Sequence, residues 1–529
     1  MATAPQGGDR VRTAELIAAL CLATDLGMGF PFEHGLERTL IAMRLANALG
    51  VRSEDAADTY YACLLAHAGC TTEEHIRAEV FGGSLTANLN PVIYGSQFQV
   101  IRGLLRALPD PGRPGLVRTA QTARRLPRML REQRPAISAV CEVAGMLAER
   151  VGAPSSVPTL LDHLTERWDG HGPLGRAKGE EIPLPMRILH VATDAALQRE
   201  LGGPEHAARL VRERAGQAFD PDVAGCLVEH AGEILAVEEG SAWSKVLALE
   251  PLSPRVLEAE ALERALVAMG SFADLISPSL AGHSVGVAEL AGAAARGCGI
   301  DPVGGTAVRQ AALLHDLGRV AVDTRIWQKP GPLTAAEWEH VRLHPYQTER
   351  VLSRSPFLSA LSPIAGAHHE RLDGSGYHRG ATGPELTFPA RLLAAADAYH
   401  AMTEGRTYRG PHPPDRAAGL LTEEARAGRL DADAVGAVLE AVGQRAPRLG
   451  RPAGLSEREA EVIALIARGL QTKQVAGALG ISAKTADRHV QNAYRKIGVS
   501  SRAAATLFAM EQGLIAWGEL PIARPTPRS

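Results

Sequence analysis

The chain has 529 residues, 45% of them hydrophobic and 22% charged, with a formal net charge of -3. That length suits three or four domains of soluble protein. No apolar run approaches the ~20 residues that cross a bilayer, and the polar start lacks a signal-peptide core, so no membrane partner and a cytoplasmic location are expected. Aromatics are 4% and the six cysteines are scattered without a Cys-x-x-Cys pair, which excludes a disulfide framework and points to helices packed through Ala, Leu and Val.

Residues 1–14 are expected to be a disordered start. Residues 15–235 read as one mostly helical region, a break rich in proline lies near 236–254, and residues 255–442 read as a second helical region. The two regions repeat one another. Glu166-Arg167-Trp168-Asp169-Gly170, Gly179-Glu180-Glu181-Ile182 and Arg187-Ile188-Leu189 return as Glu370-Arg371-Leu372-Asp373-Gly374, Gly383-Pro384-Glu385-Leu386 and Arg391-Leu392-Leu393, at a constant offset of 204 residues. Earlier, Cys63 to Gly69 echoes Ala312 to Gly318, and His34 precedes a helix as His283 does.

The second region carries His283, His315-Asp316, His344, His368-His369 and Asp397. Burying so many polar groups is costly unless they share partners or a metal, and neutral imidazole with carboxylate is a donor set for Fe, Mn or Zn. Apolar and small-residue runs place them on helices: Pro278 is expected to open the helix bearing His283, Ala311 to Leu314 delivers His315 and Asp316, Thr334-x-x-Glu337 caps a helix ending at His344, His368 and His369 end an apolar helix, and Asp397 lies in an alanine-rich one.

These motifs, with Lys329-Pro330-Gly331-Pro332-Leu333-Thr334, Asp373-Gly374-Ser375-Gly376-Tyr377 and Arg406-Thr407-Tyr408-Arg409, resemble the HD-GYP phosphohydrolases over about 160 residues. The resemblance implies an all-helical fold, two divalent metal ions (Fe, Mn or similar) and hydrolysis of cyclic di-GMP or a related phosphodiester. Carried across, Asp316 bridges both ions; His283, His315 and Asp397 complete one, and His344, His368 and His369 the other. Asp316 and Arg319 are the implied catalytic residues, and Tyr377 and Arg379 the groups for phosphate or guanine. Three positions depart from the family: Arg319 replaces its usual Lys, His378 replaces the proline of Gly-Tyr-Pro, and Ser279 stands where some members have a third-metal Glu. The first region keeps the fold signature and loses the ligands. Ala66-His67 stand at the positions of His315-Asp316, Leu164-Thr165 at those of His368-His369, and Thr193 at that of Asp397. It reads as a degenerate copy for dimerisation, packing or ligand sensing.

Residues 443–454, rich in Gly, Pro and Arg, read as a linker. From Leu455 on, ten basic residues face six acidic ones, a basic end on an acidic body that suits phosphate contact. Ser456-x-x-Glu459 caps a helix, Gly469 ends it, Thr472 to Leu479 forms a second, Gly480 turns, and Ser482 caps a third. The order Leu-Ser-x-Arg-Glu, Gly-Leu-Gln-Thr-Lys-Gln-Val-Ala, Leu-Gly-Ile-Ser-x-Lys-Thr-Ala and Lys-Ile-Gly-Val resembles the LuxR-type helix-turn-helix, with four helices over 455–516 and a flexible tail at 517–529. Lys473, Lys484 and Lys496 are expected on phosphates, and Thr485, Arg488 and Asn492 at base edges of duplex DNA. His489 is either a DNA contact or a packed histidine. The expected whole is an all-α chain of tandem HD-type folds ending in a four-helix DNA-binding domain. It is expected to be a homodimeric DNA-binding regulator carrying a metal-dependent phosphodiesterase. The alternatives are a nucleotide sensor without catalysis and a plain dimeric transcription factor.

Overall fold

A computed structural model describes residues 10–70, 80–82, 85–406, 409–444, 455–511 and 514. The N-terminal nine residues, Thr407 and Tyr408, the expected linker from 445 to 454 and the expected tail lie outside the described residues. The chain is helical almost throughout; the one sheet among the described residues is a two-stranded pair. No described helix is long and apolar enough to cross a membrane.

The chain divides into two compact units. The first comprises Met1–Glu289, Thr306–Gly366 and Glu404–Pro411; the second comprises Leu290–Gly305, Ala367–Thr403 and His412–Ser529. The region 255–442 contributes segments to both units.

In the first unit, the helix Thr13–Met28 is buried nearly all round, as expected of a helix enclosed by others. It packs on the helices His34–Ala48 and Ser53–Leu65, and also on the 3-10 turn Leu317–Ala321 and the helix His344–Leu352. The first repeat thus underlies the turn that follows Asp316. Polar contacts fasten the same face: Ser355 Oγ donates to Glu15 at 2.6 Å, Arg354 pairs with Glu33 at 3.2 Å, and Arg350 lies 3.9 Å over the Phe32 ring.

Two expectations are corrected here. Val11–Arg12 is a strand paired antiparallel with Val256–Leu257, so order begins ahead of residue 14. The expected break at 236–254 contains a helix, Ala242–Ala248, capped by Ser241. Buried Trp243 and Val246 fix it, and buried Glu250 takes Arg12 at 2.5 Å and the Tyr61 hydroxyl at 2.5 Å.

The duplication holds bond by bond. His34 Nδ1 meets Glu200 at 3.1 Å, and His283 Nδ1 meets Glu404 at 2.9 Å. Asp25 accepts from Gly35 N, and Asp274 from Ser284 N. Trp168 N donates to Ala218 O and Leu372 N to Arg429 O. Arg187 pairs with the helix cap Asp220, and Arg391 with the helix cap Asp431.

In the second unit, the helices Phe388–Thr403, Pro414–Arg426 and Ala432–Ala441 pack on one another. Its carboxyl-terminal part holds four helices, Glu457–Ala467, Thr472–Ala478, Ala483–Ile497 and Arg502–Glu511. Leu455, Ile463, Ala467, Ala493 and Ala505 form one cluster of their core, and Val462, Ile466 and Val475 the other.

Candidate functional site

In the first unit the site is built around one carboxylate. Gly282, at φ 82°, turns the chain from the short 3-10 segment Pro278–Leu280 into a new helix that begins at His283. Pro278 therefore does not open the histidine's helix, as expected; the left-handed glycine separates the two. His315 and Asp316 follow the helix Pro302–Leu314, and His344 opens His344–Leu352. All four side chains are buried.

His283 Nε2 and His315 Nε2 lie 3.4 and 3.0 Å from Asp316 Oδ2, and His344 Nε2 lies 3.3 Å from Oδ1. Each ring is aimed from behind. His315 Nδ1 is 2.6 Å from the Ala312 carbonyl and His344 Nδ1 is 2.6 Å from the Val341 carbonyl, so each Nδ1 carries the proton. His283 Nδ1 meets Glu404, which also holds Arg406 at 2.9 Å. This carbonyl-or-carboxylate support behind Nε2 is the arrangement of metal-ligating histidines. As metal ligands the rings would be neutral at Nε2, and their lone pairs and the carboxylate would then all be acceptors that a shared cation reconciles.

Arg319, also buried, contacts the same Asp316 oxygen and stacks 5.1 Å from the Trp327 ring. Burial alone would raise the Asp316 carboxyl, but the charges of Arg319 and His315 and the hydrogen bonds of His283 and His315 hold it well below the usual carboxylate range. Thr348 clamps the turn: its Oγ1 donates to His315 O and accepts from Gly318 N, both at 2.9 Å. A Cβ at Gly318 would fall 2.2 Å from His344 O, so only glycine lets this turn pass under the next helix.

In the second unit His368 and His369 lie beyond, not within, an apolar helix, since Pro356–Ala365 ends before them. His368 and Asp397 are buried, and His369 Nδ1 is 3.9 Å from Asp397 Oδ2. The His369 ring lies 4.7 Å from that of Tyr377, tilted by 33°. Buried Glu370 accepts from Arg379 N at 2.8 Å and Ala381 N at 2.9 Å, folding the Asp373–Gly380 loop back over the histidine pair. Arg379 itself is exposed.

Among its described residues, the first repeat has no such centre. Fully buried Arg38 reaches His67 Nδ1 at 3.0 Å and donates to Cys63 O at 2.7 Å. Cys63 is the counterpart of Ala312, whose carbonyl takes His315 in the second repeat. An arginine occupies that position, so a metal does not fit there.

In the carboxyl-terminal domain Ser456 and Glu459 form the expected capping box and Ser482 accepts from Thr485 N. Lys473, Lys484 and Arg488 are exposed, and Thr485, His489 and Asn492 half-buried. Thr485 Oγ1 is held by Ser482 Oγ at 2.8 Å, and Asn492 Oδ1 accepts from Arg495 at 2.9 Å. Lys496, expected on a phosphate, is exposed, and its Nζ lies 2.6 Å from buried Glu459. The acid recruits it because a buried carboxylate needs a cation.

Sequence reasoning missed Glu404, Thr348 and Arg38. Glu404 was within reach, since Glu200 stands at the same 204-residue offset. Thr348 and Arg38 had no pattern to mark them.

The family described as HD domain matches residues 119–223 and 268–434, and that described as bacterial regulatory proteins, luxR family, matches 453–509. The 3'3'-cGAMP-specific phosphodiesterase 3 of Vibrio cholerae is 30% identical over 416 residues, 78% of this chain and 90% of that protein. A cyclic di-GMP phosphodiesterase of Thermotoga maritima is 40% identical over 137 residues, 26% of this chain and 37% of that protein. A crystal structure of a cyclic GMP-AMP-specific phosphodiesterase of V. cholerae superposes with a TM-score of 0.56 at 26% identity, covering 82% of this chain and 98% of that one.

Proposed function

Because this chain belongs to the HD-domain family, in its HD-GYP type, and ends in a luxR-family helix-turn-helix, we propose that it is a DNA-binding regulator that hydrolyses a guanine-containing cyclic dinucleotide. The observation that carries the reading is the Asp316 carboxylate ringed by His283, His315 and His344 with their rear nitrogens fixed. By the family resemblance, His283, His315, Asp316, His344, His368, His369 and Asp397 would be the ligands of two divalent ions, Fe, Mn or similar. When bound, such a pair supplies a water nucleophile and Lewis-acid stabilisation for phosphodiester cleavage.

The chain's own residues do the rest. The Ala312 and Val341 carbonyls and Glu404 hold three imidazoles with Nε2 forward. Arg319, buried beside Asp316, would offer its guanidinium to the scissile phosphate, which suits its paired donors. Tyr377, beside the His369 ring, would offer a face to guanine, and exposed Arg379 would meet a phosphate.

Purified Mn-loaded chain incubated with 3'3'-cGAMP or cyclic di-GMP tests this. A linear dinucleotide product, absent with Asp316→Ala, is expected. The second reading, a sensor that holds the nucleotide without cleaving it, is favoured by the Arg319 contact on Asp316; nucleotide binding without metal-dependent product would decide for it. The dimer is inferred for the DNA-binding part, since helix-turn-helix proteins commonly read two half-sites. Coupling would appear as a change in DNA affinity at saturating nucleotide.

A further inference from the structure

Residues 97–135 hold nine arginines against two acidic residues in a chain whose net charge is -3. They form the helix Gln97–Ala107 and the first half of the helix Gly115–Arg150. Both acids are already paired, Asp110 with Arg125 at 2.9 Å and Glu132 with Arg128 and Arg131 at 3.0 and 3.3 Å. Arg102, Arg106, Arg113, Arg118 and Arg124 are exposed and make no ion pair among the described residues.

The short helix has two apolar faces. Leu104 and the adjoining Leu108 pack inward with Val80, Leu126 and Met129, and that face is satisfied. The other carries Phe98, Ile101 and Leu105, which are 72%, 54% and 39% exposed, at the i, i+3, i+7 spacing of a helix-binding stripe. Across from it the long helix presents Arg118, Thr119, Thr122 and Ala123, small residues apart from the arginine. Between them lies a groove of about 760 Å³. Asp110, bonded to Gln121 and Arg125, fixes the two helices at one end.

We infer that this groove docks an acidic amphipathic helix of a partner protein. The exposed apolar stripe is what such a helix covers. The small residues of the far wall allow close approach. Arg102, Arg106 and Arg118 on the rims select acidic flanks, and arginine beside aromatic and aliphatic anchors is the composition of interface centres. A second copy of this chain would bring the same unpaired cations to the same place. A bilayer is flat where this surface is concave, and duplex DNA has little use for three exposed apolar side chains in a row. The inference is independent of the phosphodiesterase reading.

The test uses the full chain and a fluorescein-labelled synthetic helix with leucines on one face and glutamates flanking it. Fluorescence anisotropy should rise saturably, weaken roughly tenfold or more with Arg102→Glu plus Arg118→Glu, weaken with Phe98→Ser, and fall with added salt. The same peptide with lysine for glutamate should not bind. These exposed substitutions leave the fold intact, which circular dichroism checks. The inference is overturned by no saturable binding, by equal binding of the lysine peptide, by co-sedimentation with phosphatidylglycerol vesicles in place of peptide binding, by binding of nonspecific duplex DNA lost in the same variants, or by a dimer that the Phe98→Ser variant dissociates.

Discussion

Arg38 sets a guanidinium nitrogen 3.0 Å from Nδ1 of His67, the residue that stands where the second repeat has Asp316. The first repeat has therefore kept its hydrogen-bond frame and holds a covalent cation at the place that matches the proposed metal site of the second. Asp25, close enough for its carboxyl to feel the Arg38 charge, and His34, held by Glu200, complete this centre.

If Arg38 is that cation, Arg38→Met leaves buried acceptors without it and should cost about 3 kcal/mol of stability, read as a lower urea midpoint. Added Mn or Fe should not restore the loss, and metal content should stay at the wild-type value. Rescue of the variant by metal would contradict the assignment.

Glu404 acts through His283. Glu404→Gln keeps the shape and weakens the support behind the ring, so metal affinity should fall about tenfold, measured by competition with a chelator. An unchanged affinity would leave Glu404 without a role at the site.

Asp25 predicts a pH dependence. Burial, its largest cause, pushes the carboxyl up to about 7, whereas in the unfolded chain it titrates near ~4. Between those values the folded state binds more protons than the unfolded one, so this group's contribution to stability falls as pH rises through the window and is level above it. Asp25→Asn should therefore gain on the wild type from about pH 4 to about pH 7 and no further, in urea midpoints taken across that range. A constant difference would contradict it.

On DNA, Lys473→Ala should weaken binding about equally on all sequences and reduce the salt slope by about 1, while Arg488→Ala should relax preference at one base pair at a cost of about 1–3 kcal/mol. Lys496→Met should lower the thermal midpoint, because it strips buried Glu459 of its partner, and leave the salt slope unchanged. Titrations at several salt concentrations separate the three.

Local signals were the legible ones. Ser456, Gly480 and Ser482 act within a few residues of themselves, and all three stand where caps and turn demand. The metal-type residues were legible through their motifs, and the all-helical architecture through its period. The contacts that finish the site were not, because they join distant stretches. Glu404 meets His283 across 121 residues, Lys496 finds Glu459 across 37, and Arg38 looks like any arginine until its helix is buried. The proline-bounded break hid Ala242–Ala248 because that helix is fixed by the first repeat rather than by its own propensity.

Metal content of the purified full chain tests the Asp316-centred site most directly. About two divalent ions per chain, falling below one in Asp316→Ala with the variant still folded, is the result expected here. Equal metal content in wild type and Asp316→Ala would contradict it.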